Sequence, residues 1–278
     1  MSDKPFRYPI WSRGDLDGFF GLMVDNLVQV LLIISLCTFV AGLPNELIYQ
    51  RILPGIAVSL LIGNIFYGLQ ARRTARRSGN AECTALPYGI NTPSVFAFVL
   101  FIMGPVYRAA IAKGIAPADA GDLAWKAGLF ACLVSGLIEF VGAFVAERLR
   151  RVTPRAALLG VLAAVGMAFI ASDFAFRIYT RPLVGILPLA LLLLAYFARF
   201  RFPFGIPGGF LAVLFGTLIA WGTTWMGWHD FGSVKMSTDA VTASLEQIRW
   251  CPPVFVGGEL FELLSSRSDL LWGSLAVS

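Results

Sequence analysis

The chain is built from apolar runs of about 17–23 residues, separated by short polar or basic segments. A hydrocarbon layer about 30 Å thick needs roughly that many helical residues to cross it. Within that layer each backbone N–H and C=O must find a partner inside the protein, which restricts such runs to helices. Composition agrees. Of 278 residues, 57% are hydrophobic and 14% charged, against about 45–50% and about 25% in soluble domains. The sequence predicts an all-α polytopic membrane protein. Seven spans are expected, near 19–41, 52–70, 86–104, 124–146, 156–173, 182–198 and 208–226.

Lysines and arginines orient such spans, because cytoplasmic loops retain them. One side would carry Lys4, Arg7, Arg13, Arg72, Arg73, Arg76, Arg77, Arg148, Arg150, Arg151, Arg155, Arg199 and Arg201. The other would carry Arg51, Arg108, Lys113, Lys126, Arg177, Arg181, Lys235 and Arg249. The denser set marks the cytoplasm and places the N-terminus there. The expected organisation is a cytoplasmic segment at 1–18, helices at 19–146, further helices at 147–226 and an extracytoplasmic loop at 227–265 that holds the lone histidine, His229. An eighth apolar run, 266–278, is too short to cross, so the N-terminal part of a longer protein is expected.

The net charge of +5 sits in loops between spans and does not point to nucleic acid. Cys37, Cys83, Cys132 and Cys251 are scattered, with no CxxC or Cys/His ligand spacing, so neither a disulfide framework nor a metal site is expected. The first apolar run is too long for a signal-peptide core and should be retained.

The third span is broken at its start. Thr84-Ala85-Leu86-Pro87-Tyr88-Gly89-Ile90-Asn91-Thr92-Pro93-Ser94 is polar and interrupted by Gly and Pro, and it leads into the apolar run Val95–Met103. Residues before proline avoid the helical region, so Leu86 and Thr92 favour extended backbone. Thr92 can cap a helix and Pro93 can open one. A helix from Pro93 to Gly104 would have 12 residues, about 18 Å, well short of the hydrocarbon thickness. A half-helix preceded by a short extended segment is therefore expected. Such a break directs free N–H groups and the positive end of a helix dipole at a cavity. Tyr88 could stack on a flat ring, Asn91 could donate and accept, and Gly89 permits close backbone approach.

Other spans carry polar groups at depth. Asp25, Asn26 and Gln29 lie on one face of the first span, with Asp25 and Asn26 each close to Gln29 by spacing. Glu139 lies near the middle of the fourth span, where a carboxyl suits a proton relay or a buried hydrogen bond. Gly136 and Gly142 flank it and are expected to permit close helix packing, as are the small residues of 156–167 and of 205–209. Trp221, Trp225 and Trp228 suit an aromatic belt.

Gly14-Asp15-Leu16-Asp17-Gly18-Phe19-Phe20-Gly21, Asp25-Asn26-Leu27-Val28-Gln29 and Thr84–Pro93 together resemble the xanthine/uracil/ascorbate permease (nucleobase transporter) superfamily. The likeness covers nearly the whole chain, and the 84–94 motif is its most specific part. It implies two inverted repeats of seven spans, of which this chain would be the first. It implies a core domain at 19–146 and a gate domain at 147–226. By the same resemblance the substrate-binding positions fall on Tyr88, Gly89, Asn91, Thr92, Ser94, Asn26 and Gln29. Asp25 and Glu139 are the candidates for proton coupling. The family's acidic ligands lie on spans eight and ten, which this sequence does not reach, so it is not expected to transport by itself.

The leading expectation is a cation-coupled secondary transporter for a small planar solute such as a purine or pyrimidine base, with H⁺ or Na⁺ as the coupling ion and no other cofactor. An anion carrier of sulfate or bicarbonate type and a seven-span receptor are the alternatives. A retinal protein would need a lysine in 208–226, where none occurs. HExxH, GxSxG and clustered Asp/His motifs are missing, so an enzyme is not expected. The expected partners are the lipid bilayer, the solute and, as an open arrangement, a second copy in a homodimer. The expected location is a bacterial inner (plasma) membrane.

Overall fold

Helical structure begins earlier than the apolar run does. The Ser12 N–H donates to the Asp15 carboxylate at 2.5 Å, and the Asp15 N–H returns to the Ser12 carbonyl at 3.1 Å. This pairing satisfies donors that a first turn leaves open, so the helix starts at Arg13 and not near residue 19. The computed structural model describes residues 8–228, 234–246 and 249–259. His229 and the expected eighth run at 266–278 lie outside the described residues, as do Lys4 and Arg7. Among the described residues, five helices are long and apolar enough to cross a membrane: Gly14–Ala41, Asn45–Ser78, Thr92–Ala112, Pro117–Val152 and Gly208–Trp225. Of the other two expected spans, the fifth begins at Arg155 and stays helical through a π turn at Gly166–Ala171 to Thr180, and the sixth is the shorter apolar helix Pro182–Tyr196. No strand occurs among the described residues.

Two prolines leave a recognisable mark. Proline has no N–H and crowds the carbonyl four residues back. Just before Pro54 and Pro105 the helix widens to a π turn, over Ile48–Ile52 and Phe98–Met103. The Leu53 N–H reaches Ile48 O, and the Gly104 N–H reaches Val99 O, each five residues back. The helix therefore passes through Gly104-Pro105 and ends at Ala112. This corrects the expected stop at Gly104: the third helix has 21 residues, and a 12-residue half-helix does not form.

The chain divides into two compact units, and the first two helices contribute to both. One unit comprises Met1–Leu27, Gly63–Gly89 and Ala171–Trp250. In it, the helices Pro182–Tyr196 and Gly208–Trp225 pack closely through small residues. A Cβ on Gly208 would collide with Ala195, and one on Gly216 would come within 3.2 Å of Pro188. The expected role of the glycines at 205–209 holds at Gly208. Thr224 fastens the following segment, with its hydroxyl donating to Val234 O at 3.1 Å and accepting from the Met236 N–H at 3.0 Å.

The other unit comprises Val28–Ile62, Ile90–Ile170 and Cys251–Ser278. Its core is a stripe of Val95, Val99, Met103 and Val106 on the third helix, at helical spacing, against Leu32, Leu36 and Cys37 of the first and Ala124 and Ala127 of the fourth. Gly128 keeps the approach close, since a Cβ there would sit 2.9 Å from Met103 Sδ. Near the N-terminal end of the fourth helix, Asp122 pairs with Arg51 and, at 2.8 Å, with Lys126, which also pairs with Glu259. Arg51 lies over the Trp125 ring at 5.2 Å, and Val256 is buried with Trp125 and Leu47.

Candidate functional site

Residues 83–91 are not helical and separate the second helix from the third. The run is held at both of its ends within the first unit. At its start, the Tyr8 hydroxyl donates to Cys83 O, and Cys83 Sγ lies 3.6 Å from Ala71 O as a weak donor. Further along, Asn64 Nδ2 donates to Tyr88 O at 2.9 Å. The Tyr88 ring lies on Gly63, where a Cβ would collide with ring atoms Cδ1, Cε1 and Cγ. The Tyr67 ring is 5.9 Å away, tilted by 31°.

These contacts give the segment a direction. From Ala71 back to Gly63 is eight residues of helix, about 12 Å of axial distance. From Cys83 to Tyr88 is five residues, at most about 18 Å when extended. The segment therefore runs antiparallel along the second helix, starting near its basic end. Tyr88 reaches the level of Gly63, nine residues from Arg72, or about 14 Å along the axis.

Gly89 meets the first helix. A Cβ on it would come 3.3 Å from Asn26 Oδ1 and 3.6 Å from Asp25 Oδ2. Asp25 lies twelve residues beyond the helix start at Arg13, about 18 Å along it. Tyr88, Gly89, Asp25 and Asn26 are thus brought together, and glycine is the residue that allows it. Asp25, Asn26 and Gln29 all lie on the helix Arg13–Ser35, at the spacing expected of them. Asn26 Nδ2 donates one turn back, to Leu22 O at 2.9 Å. Gln29 is buried in the second unit, and its Oε1 has no hydrogen-bond partner among the described residues.

The start of the third helix lies in the second unit. Asn91, not Thr92, holds the cap position, with extended backbone at φ −82° and ψ 106°. Its carbonyl accepts the Val95 N–H at 3.1 Å, while its side chain makes no capping bond. Thr92 is inside the helix and buried, followed by Pro93, and Ser94 is half-buried. Pro93 falls in the first turn, where its missing N–H costs no helix bond, so the helix can open one residue earlier, at Thr92, with Asn91 in the extended cap conformation.

Glu139 stands apart. It is exposed on the fourth helix among exposed Leu137, Ile138 and Phe140, and no described residue comes within 4 Å of where a Cβ on Gly136 or Gly142 would lie. The packing expected of those two glycines is made by Gly128 instead.

The sequence reading passed over Gly63 and Asn64. An amide in mid-span is costly to bury without a partner, so Asn64 alone should have drawn attention. Among the described residues no group of three or more His, Cys, Asp or Glu could hold a metal ion. Comparison of the chain with protein-family models, curated proteins and solved structures gave no match.

Proposed function

We propose that this multi-pass membrane protein is a secondary transporter for a small planar solute, of the xanthine/uracil/ascorbate permease type, working by cation-coupled alternating access. Its helices would form the first seven-helix repeat of a 7+7 arrangement. The observation that carries this reading is the non-helical run 83–91, which reaches Gly63, about 14 Å along the second helix from Arg72. That is roughly half the thickness of the hydrocarbon layer. Backbone left unwound at such depth needs protein or a cavity around it. The run presents Tyr88 as a stacking surface and the exposed Asn91 amide as donor and acceptor, and Gly89 borders Asn26 and Asp25. Asp25 beside Gly89 favours it over Glu139 as the group that couples a proton or Na⁺.

The test is Asn91→Ala in the full-length protein. Uptake of radiolabelled uracil or xanthine should fall roughly tenfold, as expected for loss of one or two ligand hydrogen bonds. The amount of protein in the membrane should stay near wild type. Equal loss of uptake and protein would assign Asn91 to packing and overturn its role in the site.

An anion carrier is the second reading, favoured by the uncapped N–H groups at the start of the third helix. The Asp25 carboxylate next to Gly89 weighs against it. Competition of uptake by uracil and xanthine, but not by sulfate, is expected; the reverse would establish the anion reading.

A further inference from the structure

Three residues of the second helix, Gly63, Asn64 and Tyr67, meet the non-helical run at one place, Tyr88. Gly63 and Tyr67 are four apart and share a face, and Asn64 is adjacent. The three contacts are different in kind. Gly63 supplies a hollow, because any side chain there would occupy the space of the Tyr88 ring. Asn64 supplies a donor to Tyr88 O at 2.9 Å, satisfying a carbonyl that no helix or sheet satisfies. Tyr67 supplies a second ring at 5.9 Å, within the usual range for aromatic pairs. Together they determine two things at once: the plane of the Tyr88 ring and the backbone position from which Gly89 turns toward Asn26.

We propose that Gly63 and Asn64 are positioning residues that form a seat on the second helix for Tyr88, and so set the geometry of the solute site from outside it. This deepens the transporter reading and rests on it for its uptake arm, whereas the seat itself can be tested without transport. The hollow fixes where a flat solute would stack, and the amide holds the non-helical run so that the ring cannot slide along the helix. A misplacement of about 1 Å at such a position costs far more than the lost contact, since every group downstream shifts with it.

The experiment has two arms, both in the full-length protein. The first is a double-mutant cycle read by thermal unfolding of the purified protein. Gly63→Ala should lower the unfolding midpoint by roughly 5 °C, the scale of an overpacking strain. In a Tyr88→Ala background the same substitution should cost almost nothing, because the ring it would strike has gone. Equal cost in both backgrounds, or no cost in either, overturns the seat. The second arm is uptake of radiolabelled uracil and xanthine. Asn64→Leu should raise KM roughly fivefold with Vmax nearly unchanged, and Asn64→Gln, which retains the amide donor, should recover part of the loss. Wild-type KM in Asn64→Leu, or a fall in Vmax alone, overturns the positioning role. If the wild type takes up neither base, it is the nucleobase transport reading that fails, and the unfolding cycle still decides the seat.

Discussion

The two halves of the fourth helix both carry glycines, and those glycines behave in opposite ways. Between Pro117 and Gly128, Ala120, Gly121, Ala124, Ala127 and Gly128 are buried. From Leu133 to Val152 the same helix exposes Leu137, Ile138, Phe140, Val141, Phe144 and Val145, and a Cβ added at Gly136 or Gly142 would meet no neighbouring element among the described residues. Small residues permit close approach without causing it. What decides is whether a neighbour offers a complementary row. The Val95, Val99, Met103 and Val106 stripe does so for the first half. Asp122 of the first half is fastened across to Arg51 of the second helix, whereas in the second half Glu139 stands on the open face and Glu147 pairs with Arg150 and Arg151 of its own helix.

The contrast can be broken by experiment. The largest effect should come from Gly128→Leu, which drives a side chain into Met103. It should lower stability by about 3 kcal/mol in denaturant unfolding of the purified protein, with Gly142→Leu staying within about 0.5 kcal/mol. Similar costs at both glycines would mean that the open face is packed in the working protein. A smaller effect is expected at the ion pairs. Lys126→Met should cost about 1 kcal/mol, because the pairs are only partly buried, and it should speed tryptic cleavage after Arg249 by loosening the segment that Glu259 anchors. Unchanged cleavage would show that Val256 holds this segment alone. The smallest effect should be that of Glu139→Gln, which should leave both stability and the pH profile of uptake as in wild type. A shifted profile would restore Glu139 as a coupling group.

Apolar run length alone located the helices and set their bounds closely at Pro182–Tyr196 and Gly208–Trp225, whereas Asn45–Ser78 and Pro117–Val152 run several residues past both expected ends. The failures share a cause: local signals were read without the partner that modifies them. Gly104-Pro105 resembles a helix stop, but a π turn absorbs the missing donor and the helix continues. Thr92 resembles a cap, but Asn91 occupies that place. Within the motif 84–94, residues 84–91 were legible as non-helical because the prolines and glycine act locally. Its seat was not, because the value of Gly63 and Asn64 depends on a contact 24 residues away in sequence between Asn64 and Tyr88. Spacing within one helix cannot reveal that.

The length of the third helix carries a further consequence. Its 21 residues amount to about 31 Å, enough to traverse the lipid layer unaided. Length alone therefore does not call for residues 83–91, and a plain turn would connect the same two helices with fewer residues. A stretch longer than the connection requires is gripped by Tyr8, Ala71, Gly63, Asn64 and Tyr67, so contacts, and not chain length, fix its course along the second helix.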